Sequence, residues 1–137
     1  NTGIAQDVLL TDAGTKHGLY KSKPKKFNAP GFNFDEVVVP PKNSVLLAST
    51  NINKFAALHF TAGKSEVWGL QYHPEIPYSY MIRLLKHRKK RLLDNKSFRD
   101  ENEINKHIDL ITKEDQITND NSRTLELKNW LDHIKKS

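Results

Sequence analysis

The stretch that decides the fold reads Val67-Trp68-Gly69-Leu70-Gln71-Tyr72-His73-Pro74-Glu75. Its first half is apolar and predicts a buried strand, which ends where a proline interrupts the β-ladder. Proline also holds the residue before it in an extended conformation. Because side chains two positions apart in an extended segment lie on the same side, we expect His73 and Glu75 to meet at the end of this strand.

A carboxylate beside an imidazole selects one tautomer and stabilises the imidazolium, which is the role of the third member of a catalytic triad. His73 is therefore a candidate general base for a thiol or hydroxyl nucleophile, and Glu75 is the candidate residue that orients it. A lone histidine near a strand end is more often structural, and His-x-Glu occurs by chance. Gly69, Gln71 and Pro74 make the pattern more specific, and a glycine in a buried strand predicts the close approach of another backbone.

The length of 137 residues fits one domain or part of one. The sequence contains no cysteine, which excludes disulfides, thiolate zinc sites and a cysteine nucleophile within this chain. It has no apolar run as long as a membrane span and no secretory signal, so we expect a cytoplasmic protein with no membrane partner. Because the chain opens on Asn1 and its one methionine is Met81, we also expect it to be a fragment of a longer polypeptide.

The net charge of +6 comes largely from two basic clusters at residues 21–26 and 86–91. A basic surface permits nucleic-acid binding, which would show as a steep salt dependence of affinity. Neither cluster is interleaved with exposed aromatic residues, which favours a solvated lysine-rich surface and no nucleic-acid partner.

Hydrophobic periodicity predicts five strands, at residues 4–11, 32–39, 44–49, 55–60 and 67–72, and three helices, at residues 78–93, 101–113 and 122–136. Strands that are apolar on both faces belong in a sheet covered by helices. The prediction is an α/β fold with a layered mixed sheet flanked by helices, incomplete at its N-terminus. Trp130 lies on the apolar stripe of the last helix and is predicted to be a packing anchor.

No cofactor site is predicted. The glycines form neither a GxGxxG nor a Walker pattern. The remaining histidines have no metal-ligand spacing and are expected to be structural or exposed; they are His17, His59, His87, His107 and His133. The adjacent Asp35 and Glu36 are interpreted equally well as a carboxylate pair or as a loop before a strand.

Residues 69–75 resemble the signature G-(V/L)-Q-(F/Y)-H-P-E of the class I glutamine amidotransferases. Nearly the whole chain resembles the GMP-synthase-like amidotransferase domains of that family, through residues 11–14, 27–30, 35–37, Arg123 and 129–131. The resemblance implies a flavodoxin-like fold. It assigns residues 1–95 to the C-terminal half of an amidotransferase-like domain and residues 96–137 to a helical extension that packs on it.

The resemblance also implies a glutaminase with a Cys-His-Glu triad, in which His73 is the base and Glu75 its orienter. Glutamine is the implied substrate, and the implied partners are a cysteine-bearing N-terminal half or a synthetase that accepts the ammonia. Since this chain lacks the cysteine, it is expected to be inactive alone, with exposed apolar sheet surface that lowers solubility or drives dimerisation.

Two other functions stay open at this point. One is a scaffold or binding module that keeps the fold without a nucleophile, and the other is a γ-glutamyl hydrolase on the same fold. Related domains often carry His-Ser-Asp where this chain has Asn33-Phe34-Asp35, so the family's substrate contacts are not carried over to this position.

Overall fold

The computed structural model describes residues 1–136 and contains one five-stranded sheet. The strands, in the spatial order β2-β1-β3-β4-β5, are β1 (Thr2–Leu10), β2 (Lys26–Phe32), β3 (Val45–Ser49), β4 (Ala57–Ala62) and β5 (Ser65–Leu70). All four pairings between neighbouring strands are antiparallel. The α/β class is confirmed, and the sheet that was expected to be mixed is antiparallel throughout the described residues.

The helices are α1 (Asp12–Thr15), a short 3₁₀ helix (Gly18–Tyr20), α2 (Tyr78–His87), α3 (Lys89–Asp94), α4 (Glu101–Ile117), α5 (Asp120–Arg123) and α6 (Leu125–Lys135). α4 packs on α2, and α6 packs on the 3₁₀ helix. The division of the chain at residue 95 stays a prediction. Within residues 1–136, no helix combines the length and apolar character that crossing a bilayer requires.

The second strand differs from the prediction. Residues 37–39 form no strand, and Val38 and Val39 are 74% and 84% exposed. The strand lies earlier, in β2, which pairs with β1 at one edge of the sheet. β2 accommodates Pro30 because it is an edge strand. On its outer side no neighbouring strand needs a backbone N–H as a hydrogen-bond donor, so the N–H that proline lacks is not missed.

The predicted hairpin before the His-Pro-Glu turn is confirmed. β4 and β5 pair from Ala57 opposite Leu70 to Ala62 opposite Ser65. Gly63, in the two-residue turn, has a φ of +61°, a conformation that glycine adopts without a steric penalty. The second strand of the hairpin ends at Leu70, directly before the segment that leads to the His-Pro-Glu turn.

Two apolar cores lie on opposite sides of β1. Ala5 belongs to a core with Leu10, Leu47 and Tyr72, whereas Ile4 belongs to a core with the buried residues of the helices α2 to α4. Consecutive strand residues point to opposite faces of the sheet, so β1 contributes side chains to both cores. The helical layer therefore lies against one face, and the segment before the His-Pro-Glu turn is buried on the other.

The last helix faces the opposite way from the predicted orientation. Its buried residues are Glu126 and Asn129, and its apolar stripe is largely exposed, with Trp130 45% and Leu131 49% accessible. Trp130 is therefore not the predicted packing anchor. Two polar contacts select the buried face of α6: Lys23 forms an ion pair with Glu126, and the Leu19 carbonyl in the 3₁₀ helix accepts from the Asn129 amide.

Helix boundaries also differ from the prediction. The helix expected over residues 78–93 is divided at Arg88, whose backbone has φ −94° and ψ 11° and whose guanidinium lies over the Phe32 ring. α4 begins as expected, with Asp100 accepting a hydrogen bond from the Glu103 N–H as its N-cap. The helix expected over residues 122–136 is also divided, at Thr124, between the end of α5 and α6.

Candidate active site

The structure brings His73 and Glu75 together at the end of β5. Nδ1 of His73 lies 2.8 Å from Oε1 of Glu75, and the two side chains are 43% and 48% exposed. An ionised carboxylate only accepts hydrogen bonds, so the neutral imidazole carries its proton on Nδ1 and presents Nε2 as a free lone pair. This is the tautomer that a general base needs.

The backbone of His73 is held by the edge of the sheet. Its N–H donates to the carbonyl of Pro30 at 2.7 Å, and its own carbonyl accepts from the Ile76 N–H at 3.2 Å. N–H and C=O groups of one strand residue point to the same side. The nitrogen and the carbonyl of Pro30 therefore both face the outer side of β2, where the carbonyl accepts the hydrogen bond from the His73 N–H.

The residue before His73 is buried in a polar contact. The Tyr72 hydroxyl lies 2.8 Å from that of Tyr20, inside the core that includes both rings. Burial raises the pKa of Tyr72 well above its ordinary value, with further contributions from Tyr20 and Glu126. This pair joins the strand end from which His73 projects to the 3₁₀ helix.

The residue after His73 is held from a distant part of the sequence. Arg123, in α5, donates from Nε to the carbonyl of Pro74 at 3.1 Å. The contact joins positions 49 residues apart, and neither residue carries a local signal that pairs it with the other. Sequence reasoning therefore missed the contact of Arg123 with the turn.

Two predictions about the surroundings of the turn have different outcomes. The nearest heavy atom to a Cβ built on Gly69 is Cε1 of Phe60 at 4.0 Å, so the expected close backbone neighbour is not among residues 1–136. Asp35 and Glu36 lie in an exposed loop, and the Asn33 amide donates to the Asp35 carbonyl at 2.7 Å. This agrees with the loop interpretation of the carboxylate pair.

Three of the other histidines form a second polar cluster. The Leu19 N–H donates to His17 Nδ1 at 3.1 Å, so the neutral His17 ring carries its proton on Nε2 and donates to His59 Nδ1 at 2.9 Å. His59 Nε2 then lies 3.3 Å from Oε1 of Glu66, and His133 of α6 lies 3.2 Å from its Oε2. The cluster connects α6 to the β4–β5 hairpin.

The two remaining histidines agree with the expectation. His107 bonds to the Thr2 carbonyl at 2.6 Å, which is a structural contact, and His87 is exposed. Over the described part of the chain, no group of three or more His, Asp or Glu side chains has a geometry suited to a metal ion.

In the basic cluster at residues 21–26, Lys21, Lys25 and Lys26 are exposed as expected, and Lys23 is the exception. The Lys23 side chain is 4% exposed and lies against the carboxylate of Glu126, which is 1% exposed. Lys23 also donates to the Ser122 carbonyl at 3.0 Å. This lysine therefore connects the loop before β2 to α5 and α6, next to the buried tyrosine pair.

Comparison with curated proteins finds two relatives. The chain is 30% identical, over 97% of its own length and 50% of the relative's, to the gamma-glutamyl-L-1-hydroxyisopropylamide hydrolase of a Pseudomonas species. It is 34% identical to one of the subunits of the glutamine-hydrolysing GMP synthase of Methanococcus aeolicus, over 47% of this chain and 33% of the relative. The chain thus spans half the length of the first relative and a third of the second.

Comparison with solved structures finds the same fold. A glutamine amidotransferase from Thermotoga maritima superposes with a TM-score of 0.63, at 15% identity, over 98% of this chain and 50% of that structure. No family model matches the sequence. At this identity the likeness establishes the fold alone.

Proposed function

Because the chain is a class I glutamine amidotransferase-like domain, we propose that it supplies the base and the orienting carboxylate of a thiol-dependent amidase. The proposed reaction is the hydrolysis of glutamine to glutamate and ammonia, with a cysteine that lies outside this chain. The contact of 2.8 Å between His73 Nδ1 and Glu75 Oε1 carries the proposal. It leaves Nε2 of His73 as the proton acceptor.

The proposed chemistry follows from that tautomer. Nε2 of His73 accepts the thiol proton, and the thiolate attacks the side-chain amide carbon of glutamine. The imidazolium, stabilised by Glu75, then protonates the departing nitrogen, which leaves as ammonia. Water attacks the resulting γ-glutamyl thioester with His73 again as the base, and glutamate and the free thiol are released.

A second candidate substrate is a γ-glutamyl N-alkyl amide. The alignment over 97% of this chain is to a hydrolase whose name gives such a substrate. The bond broken is the same γ-amide, and only the leaving amine differs, so His73 and Glu75 keep their roles. Asn33-Phe34-Asp35, which departs from His-Ser-Asp, is a further reason to test both substrates.

The test is a parallel assay of the complete polypeptide that contains this chain, supplied with L-glutamine or with γ-glutamyl isopropylamide. Release of ammonia and glutamate from glutamine supports the first proposal, and release of amine from the alkyl amide alone selects the second candidate. Turnover of neither substrate overturns both proposals and favours the scaffold alternative.

His73→Ala in the same polypeptide is expected to abolish turnover and to leave the melting temperature unchanged. His87→Ala, at an exposed position on α2, is the matched control and is expected to retain full activity. Activity that survives His73→Ala would show that another group is the base.

A further inference from the structure

Arg123, the last residue of α5, lies against the His-Pro-Glu turn and is largely buried. Its side chain is 12% exposed, Nε donates to Pro74 O at 3.1 Å, and Nη1 lies 2.5 Å from Oδ1 of Asp120. The planar guanidinium supplies both donors in a fixed geometry, which a lysine cannot reproduce. The carboxylate of Asp120 therefore aims the Nε–H at the turn.

The orientation of the Pro74 carbonyl is coupled to the position of the Glu75 carboxylate through the ψ torsion of Pro74. The proline ring fixes φ of residue 74, so ψ of Pro74 is a soft torsion between the imidazole and the carboxylate. A hydrogen bond to the carbonyl oxygen holds that torsion. The N–H of His73 is already held by Pro30 O, and the His73 carbonyl by Ile76. The Arg123 contact is thus the third backbone restraint on the turn.

Arg123 is itself held in place from both ends of α5. The Asn119 side chain accepts from the Ser122 N–H at 2.7 Å as the N-cap. The buried Lys23 donates to the Ser122 carbonyl and pairs with Glu126 at the start of α6. The N-cap and the Lys23 contact therefore fix α5 beside the turn, which keeps the Arg123 guanidinium within reach of the Pro74 carbonyl.

We propose that Arg123 is a positioning residue for the amidase chemistry, which sets the contact between His73 and Glu75 by holding the carbonyl of Pro74. This inference rests on the proposed function. It assigns the extension beyond residue 95 a direct part in shaping the site. The alternative is that Arg123 stabilises the fold without affecting the geometry of the turn.

The test compares Arg123→Gln, Arg123→Lys and the unvaried complete polypeptide. Misplacement of a catalytic group by about 1 Å costs on the order of 10²-fold in rate, so Arg123→Gln is expected to lower kcat by about 10- to 100-fold with little change in KM. Arg123→Lys keeps one charged donor and is expected to recover part of this loss. Arg99→Gln is the control, since Arg99 forms an exposed pair with Glu103 and is 91% accessible.

A second measurement separates this inference from the proposed function. The Nδ1–H proton of His73, which faces Glu75, is followed by NMR with ¹⁵N-labelled histidine. Arg123→Gln is expected to weaken or remove this resonance, even if the unvaried protein hydrolyses neither amide. In that event the proposed function fails and the positioning role stands.

The inference is overturned if Arg123→Gln leaves both kcat and the His73 resonance unchanged, whether or not the melting temperature falls. Asp120→Ala provides the same test if Arg123→Gln does not fold, because Asp120 is 88% exposed and its loss removes the acceptor of Nη1 without removing the guanidinium. A smaller change in the same direction is expected, and an unchanged resonance would overturn the proposal.

Discussion

Lys23 Nζ lies 3.0 Å from Oε1 of Glu126, and both side chains are almost completely buried. Removing one member of a buried pair leaves an unpaired charge and costs about 3–5 kcal/mol, whereas replacing both with apolar residues is often neutral. We expect Lys23→Met to lower the free energy of unfolding by about 3–5 kcal/mol. The measurement is urea denaturation.

The double variant Lys23→Met/Glu126→Leu is expected to regain most of that loss. Lys128→Met is the exposed control, since Lys128 and Asp132 pair with 69% and 46% exposure, and it should cost less than about 1 kcal/mol. A loss below about 1 kcal/mol for Lys23→Met alone would contradict the burial of a charged pair.

Glu75→Gln should separate catalysis from stability. The amide keeps a similar shape but does not stabilise the imidazolium, and loss of the carboxylate in such triads lowers kcat by on the order of 10²–10⁴. The melting temperature should stay the same because Glu75 is 48% exposed. Activity and thermal unfolding are measured on the same samples, with Glu36→Gln, in the exposed loop, as the control. Equal activity of the two variants would show that Glu75 does not take part in catalysis.

Gly14 is required by close packing. A Cβ at this position would lie 2.0 Å from the carbonyl oxygen of Leu47, so α1 would have to move away from β3. Gly14→Ala is expected to destabilise the fold by about 1–3 kcal/mol or more. Gly69→Ala meets only Phe60 at 4.0 Å and should be tolerated. Chemical denaturation checks both, and equal losses would be inconsistent with this packing.

The histidine cluster predicts a loss of stability in acid. Burial lowers the pKa of His17, the neighbouring His59 and His133 add to the effect, and Glu66 opposes it. A histidine with a lowered pKa binds fewer protons when folded, so its stabilisation is present above the unfolded pKa of about 6.5 and is lost as pH falls below it. Protonation of Nδ1 also breaks the contact with the Leu19 N–H.

We therefore expect the melting temperature to fall by a few degrees between about pH 7.5 and 5.5. His17→Gln should flatten this dependence. At lower pH, Glu66 contributes a loss of the same sign, because hydrogen bonds from Trp68 and then His133 lower its pKa. Thermal scans across this range measure the effect, and an unchanged slope in His17→Gln would assign the dependence to other groups.

The inward face of α6 predicts unequal losses of stability for two neighbouring residues. Asn129 donates to the carbonyls of Leu19 and Lys21 at 2.8 and 2.9 Å, so Asn129→Ala should cost about 1–3 kcal/mol by leaving buried groups unpaired. Trp130→Ala, at a 45% exposed position, should cost less. Urea denaturation compares the two, and a larger loss at Trp130 would restore its role as an anchor.

The parts of the fold that could be predicted depend on neighbouring residues. The β4–β5 hairpin follows from two apolar runs around a glycine turn, and the contact between His73 and Glu75 follows from the restraint that Pro74 places on an extended chain. α4 begins at its predicted residue because Asp100 and Glu103 form a local cap. Each of these is determined within a few residues.

The errors concern contacts between distant residues. Residues 27–31 contain a Pro-Gly pair, which is typical of a turn, yet they form β2 because β1 supplies a partner. The apolar stripe of α6 predicts which face is buried, and the polar partners Lys23 and the Leu19 carbonyl reverse that choice. Local propensity is a weak guide where tertiary bonding compensates for it.

The sequence by itself determined the class of fold, the strand that leads to residue 73, and the identity of a candidate base and its orienting carboxylate, because proline geometry and hydrophobic period act over short distances. Only the tertiary structure decided that Pro30 and Arg123 hold the two sides of the turn and that Lys23 lies buried against Glu126. Those contacts span 43 to 103 residues. Such pairings arise from the packing of whole elements, which no local pattern encodes.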